Sequence, residues 1–162
     1  MRKILGAIAL ALVLGCSSIS AFAAAQSIVI NGTVAEIPAE MGEIIEQDDR
    51  TFVPIRFVSE QMGKIVKYDD NLNAALILDG PDMYFIQQNT DKIYKITDPG
   101  ITETTVMDTS AFIKEYENGG RMYIPIRFVS EAFGYEVGWD EATQTVYIND
   151  PAVMGEGAVP GV

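Results

Sequence analysis

The chain has 162 residues, 23 of them acidic and 11 basic, for a formal net charge of −12, with no histidine and one cysteine. That balance argues against nucleic acid and anionic lipid surfaces, which demand basic patches, and suits an acidic protein kept soluble by self-repulsion. Without histidine and with a single thiol, neither a Ser-His-Asp or Cys-His arrangement nor an ordinary zinc or copper centre can be assembled.

In chain order, Arg2-Lys3, an apolar run over residues 4–14 and small residues around Ala21-Phe22-Ala23 read as a secretory leader spanning residues 1–25, cut after Ala23 or Ala25. The apolar run is too short for a permanent transmembrane helix, so none is expected in the mature form. A rival signal is Val13-Leu14-Gly15-Cys16, which resembles a lipoprotein box in which Cys16 would be acylated and become the first mature residue. The expected product is secreted or wall-associated, with a membrane-anchored lipoprotein through Cys16 as the alternative. Conventional removal of the leader takes away Arg2 and Lys3, leaving nine basic residues against 23 acidic, a net charge of −14, and no cysteine. Such a domain holds by packing alone, and about 135 residues suffice for a core of its own.

Residues 27–37 predict a hairpin, because Asn31-Gly32 is the preferred pair for a type I′ turn. Asn31-Gly32-Thr33 is also formally a glycosylation sequon, which the turn explains by itself. Residues 37–46 read as a connector and Asp48-Asp49-Arg50 as a polar turn. Next, Phe52-Val53 end a strand, Pro54 opens a helix in its first turn, and Ile55, Phe57, Val58 and Met62 form a helical apolar stripe. Gly63 stands where a left-handed cap ends a helix. A hairpin follows, from Ile65-Val66-Lys67-Tyr68 through Asp69-Asp70-Asn71 to residues 75–78.

Between residues 83–86 and 92–96 a polar stretch predicts another hairpin, and Asp98-Pro99-Gly100 a turn. Residues 103–109 read as strand or loop, residues 111–116 as strand or a short helical turn, and Glu117-Asn118-Gly119-Gly120 as a turn. Residues 121–149 then repeat residues 50–78: at an offset of 71, 12 of 29 positions match without a gap, including an unbroken Pro-Ile-Arg-Phe-Val-Ser-Glu. Tyr123-Ile124, Pro125, the stripe of Ile126, Phe128, Val129 and Phe133, then Gly134, and a hairpin turning at Asp140-Glu141-Ala142 reproduce the unit. Two copies are too few for a solenoid, so a duplicated strand–helix–hairpin unit within one domain is the expectation. The predicted class is α+β, a small antiparallel sheet packed on short helices, over residues 26–150. Residues 151–162, rich in glycine, predict a flexible tail.

The run from Gly120-Arg121 through Trp139-Asp140 to Thr145-Val146-Tyr147-Ile148 resembles the copper amine oxidase N-terminal, or stalk, domain of bacterial exported proteins. The first copy departs from that pattern with Tyr68 in the aromatic slot and Ala74-Ala75 for the Thr-Val pair. The resemblance covers nearly everything between Ser27 and Asp150, and implies an antiparallel sheet wrapped on helix. In the amine oxidases that domain is an appendage away from the chemistry. Their copper centre needs histidines and a tyrosine in an Asn-Tyr-Asp/Glu setting, both absent here, so the resemblance carries no activity and no cofactor.

Carboxylates offer two further chemistries. Asp69-x-Asn71-x-Asn73 opens like a calcium loop, but Ala74 replaces the sharp-turn glycine and Gly80 the closing glutamate, so a structural turn is expected. Paired carboxylates could serve a hydrolase, yet no motif selects a pair. Arg56 with Glu60, and Arg127 with Glu131, are i, i+4 pairs near helix starts, where a cation opposes the macrodipole and therefore needs a partner. Asp69, Asp140 or the helix glutamates are the structural candidates; an anionic ligand is the functional one. Alternation puts Tyr135, Val137 and Trp139 on one face, as core or, if exposed, as a surface for sugar rings. The expected function is a non-catalytic envelope binding or spacer module touching protein or wall polymer, with glycan or peptide binding as the alternative. No segment dictates an oligomeric state.

Overall fold

The computed structural model describes residues 25–154. The expected leader up to residue 24, Cys16 and the tail from residue 155 lie outside the described residues. Ala25, the last residue of the expected leader, is buried and donates its N–H to Glu46 Oε1 at 3.1 Å.

The described residues form thirteen strands and three short helices, in three sheets. This is an α+β chain dominated by sheet, not the single small sheet expected. β1 (Ser27–Ile30) and β2 (Thr33–Val34) make the predicted hairpin, with Asn31 and Gly32 at φ of 48° and 77°, the paired positive values a type I′ turn requires. The connector is not structureless throughout, because β3 (Ile45–Gln47) pairs with β4 (Arg50–Pro54). Asp48 and Asp49 close that pair, again with two positive φ angles.

β4 runs into α1 (Ile55–Gln61), and β11 (Arg121–Pro125) into α2 (Ile126–Ala132). Pro54 and Pro125 stand one place earlier than the first-turn position expected. They are the last strand residues and the helix N-caps, with extended ψ of 125° and 124°. Proline suits that place because its missing N–H removes no ladder bond beyond the strand end. Gly63 and Gly134 take φ of 74° and 84° just past the helices, the left-handed conformation that costs glycine least. β5 (Ile65–Asp69) with β6 (Ala74–Asp79), and β12 (Glu136–Asp140) with β13 (Thr145–Asn149), are the hairpins that follow. The order strand, helix, hairpin is thus the same in residues 50–78 and 121–149.

Pairing between the two stretches is symmetric. β4 and β11 run antiparallel with Val53 opposite Ile124, Phe52 opposite Pro125, and Pro54 opposite Tyr123. At the 71-residue offset Val53 and Ile124 are counterparts, as are Phe52 and Tyr123, and Pro54 and Pro125. A local two-fold axis therefore passes through the Val53–Ile124 pair. β3 flanks β4 on one side and β10 (Phe112–Lys114) flanks β11 on the other, giving the order β10-β11-β4-β3. Residues 111–116 thus resolve as strand at their centre, not as a helical turn.

The symmetry stops at the outer hairpins. β13 takes β1 beside it in parallel, whereas β6 continues antiparallel into β7 (Asp82–Gln87), β8 (Lys92–Thr97) and β9 (Gly100–Val106). Residues 100–106 therefore resolve as strand. One apolar core joins all of this: Ile28, Val53, Phe57, Val58, Ile77, Ile86, Ile93, Ile124, Val129 and Ile148 are buried in a single cluster drawn from every sheet and from α1 and α2. The tail does not begin as loop, since Pro151–Met154 make one helical turn. Among the described residues no helix is long and apolar enough to cross a membrane.

Candidate functional site

Trp139 lies on β12, facing Val146 across the hairpin. Val137 and Tyr135 on the same face are buried, while Trp139 is half-buried and packs against the edge of the core. Alternation therefore holds, but Tyr135 is core and cannot join an exposed aromatic row. Its phenol is pushed up by that burial.

Trp139 opens onto a cleft of about 510 Å³, within the range of small-ligand sites. Pro125, Ile126, Phe128, Val137 and Val146 supply its apolar lining, from the start of α2 and the strands beside it. The rest of the lining comes from the β3–β4 hairpin that leads into the other stretch, namely Glu46, Asp48, Asp49, Arg50 and Thr51, with Asp108. Arg50 forks onto Asp108, Nε to Oδ1 at 2.8 Å and Nη2 to Oδ2 at 2.7 Å, and also donates to the Asp48 carbonyl. The Arg50 hydrogen bond holds the Asp108 carboxyl below its ordinary value. A general acid needs the opposite shift, so Asp108 is not suited to glycosidase-type proton donation.

Arg127 stands at the cleft with its side chain 53% exposed. Nη1 lies 3.5 Å from Glu131 Oε1 and donates to the Val137 carbonyl at 3.2 Å. Arg56 lies 3.7 Å from Glu60 Oε1 and is 51% exposed. The helix glutamates are thus the partners, at loose distance. Asp69 and Asp140 are not: each carboxylate accepts from its own turn. Asp69 Oδ1 takes Asn71 and Leu72 N–H at 2.9 and 3.1 Å, and Asp140 Oδ1 takes Ala142 and Thr143 N–H at 2.9 and 3.4 Å. The same bonds give Asp69 and Asp140 a structural role as turn caps, and the Thr143 side chain first, then the Ala142 N–H, lower the Asp140 carboxyl. Asn73, the third residue of the calcium-like run, is in the left-handed conformation that closes this turn. Among the described residues no group of three or more acidic, cysteine or histidine side chains could hold a metal ion.

Of the residues singled out in the sequence, the cleft gathers Pro125, Arg127 and Trp139. Gly134 caps the helix, and Glu131 flanks Arg127 on it. Pro54, Arg56, Glu60, Gly63 and Asp69 belong to the other stretch. Sequence reasoning put Phe128 in the buried stripe of its helix, and missed Arg50 and Asp108 as cleft residues because they reach the cleft only through pairing of distant strands. It also missed the clasp on the connector, in which Tyr116 and Tyr123 hydroxyls meet at 2.6 Å and the Glu43 N–H donates to Tyr123 Oη at 3.1 Å. Burial, then the bond to Tyr123, drives the Tyr116 phenol far above its ordinary value.

Fold and site together define a small, sheet-rich α+β module whose cleft is shared between two strand–helix–hairpin stretches. A family model described as the copper amine oxidase N-terminal domain matches residues 29–148, and the chain belongs to that family. In that family this domain is not the catalytic one. Comparison with curated proteins and with solved structures returned no match.

Proposed function

We propose that the chain is an exported, non-catalytic binding module of the cell envelope, and that its Trp139 cleft takes a wall glycan. The observation that carries this reading is the Trp139 cleft, where an indole and a short apolar lining lie between hydrogen-bonding charges. A pyranose has an apolar C–H face and an equatorial rim of hydroxyls. The indole matches the face; Arg127 donates to the rim and Asp48 and Asp49 accept from it. Four carboxylates, Glu46, Asp48, Asp49 and Asp108, stand against two guanidiniums, which disfavours an anionic ligand and suits a neutral or N-acetylated sugar.

The leader-like first residues support export, and a cut after Ala23 keeps Ala25 within the fold where it is buried. Residues 26–150 act as one domain, since a single core cluster draws on both stretches. The matching element order and symmetric pairing support an internal duplication of residues 50–78 and 121–149. The test is retention of the purified protein on wall sacculi and titration with chitotetraose. Trp139→Ala is expected to weaken chitotetraose binding about tenfold, which corresponds to roughly 1.4 kcal/mol, at an unchanged circular dichroism spectrum. Equal binding by Trp139→Ala, or none by the wild type, refutes the reading.

A further inference from the structure

Across the axis through Val53 and Ile124 lies a second cleft, of about 340 Å³. Arg56, Val66 and Tyr68 line it at the places that Arg127, Val137 and Trp139 hold in the first, and Arg121 stands where Arg50 does, all at the offset of 71. Its far wall likewise comes from the other stretch, here the β10–β11 hairpin, and Asp70 and Glu115 supply carboxylates. Tyr68 is 36% exposed, so its ring is available as a stacking face. Burial, Asp70 and Glu115 raise its phenol, which stays a neutral donor and acceptor.

We propose that this second cleft binds the same class of ligand, so that one chain holds two glycan strands at once. The proposal rests on the reading of the Trp139 cleft given above. Its further content comes from the axis. An antiparallel strand pair has its local dyad perpendicular to the sheet, and a two-fold rotation reverses any direction lying along the sheet. A glycan strand has one chemical direction. For a strand lying along the sheet, equivalent poses in the two clefts run in opposite senses and so belong to two strands, which makes the monomer a cross-bridge. Two linked sites also raise avidity for a wall surface without any new contact.

The chain has one tryptophan, so indole fluorescence reports on the first cleft alone, while calorimetry counts every ligand bound. Titration with chitotetraose is expected to show two ligands per chain, of which the Trp139 signal follows one. Tyr68→Ala should leave one ligand per chain with the fluorescence response intact, and Asp70→Asn, an exposed change, should weaken the silent site about tenfold. One ligand per chain with a normal Trp139 response, indifferent to both variants, overturns the cross-bridge and leaves the first cleft standing. One ligand per chain with no Trp139 response, or no binding at all, overturns both.

Discussion

Replacing Ile124 with alanine tests whether the two stretches are one cooperative body. Ile124 is fully buried, on the dyad and opposite Val53, within the cluster that joins all three sheets. The change removes three carbons, worth about 2.4 kcal/mol in transfer at roughly 0.8 per methylene. It also leaves a cavity between helices and sheet, bringing the cost to about 3–4 kcal/mol. For a domain of this size each kcal/mol lowers the midpoint by about 4 °C, so a drop of about 12–16 °C is expected. Val34→Ala on β2, at a site 61% exposed, is the control and should shift it by no more than about 2 °C. Thermal unfolding is followed by far-ultraviolet circular dichroism, which sees every strand, and by Trp139 fluorescence, which sees only the second stretch. A loss smaller than about 1 kcal/mol would contradict the packing argument, and separated transitions for the two signals would show that the stretches unfold independently.

Two further outcomes follow from the charged groups. Arg127→Ala should cost about 1 kcal/mol, because an exposed i, i+4 pair adds only about 0.3–0.5 and the bond to the Val137 carbonyl supplies the rest. Arg56→Ala, with its pair at 3.7 Å, should cost no more than about 0.5; an unchanged midpoint for Arg127→Ala removes its structural role. For acid, the Asp108 carboxyl is lowered in the folded chain by Arg50, so its contribution is fully present above the ordinary value of 3.8 and is lost as pH falls through the lowered one. Urea midpoints of wild type minus Asp108→Asn should stay constant from neutral pH down to about pH 5 and shrink below that; a difference unchanged at about pH 2 would sink this assignment.

How much of the site could be read in advance depends on how far apart its parts lie. Pro125 and Arg127 were legible because the repeated motif places them at a helix start, whereas alternation put Trp139 on a strand face, as core or as an exposed ring, and the fold sets it at the cleft. Arg50 and Asp108 were not, since they come from distant positions joined to the motif through strand pairing. The arginine partners show the same divide. Sequence spacing named the helix glutamates, which lie 3.7 and 3.5 Å from the arginines, and Asp69 and Asp140, whose carboxylates instead accept from amides two and three residues on. Nothing in the spacing foretold that the Val137 carbonyl would face Arg127.

The residues alone determined what is local: the Asn31-Gly32 turn, the helices bounded by Pro54 and Gly63 or Pro125 and Gly134, and the hairpins after them. These rest on φ preferences and on apolar periodicity over a few positions. Composition also removed whole classes of chemistry, since no arrangement in space can supply a missing imidazole. Tertiary structure decided the rest. It set β4 against β11 in the register that makes a dyad, put β1 beside β13 in parallel, and brought a hairpin from each stretch over the other's aromatic strand. Strand register between distant segments follows from burying one shared core, a property of the whole chain that no single window carries.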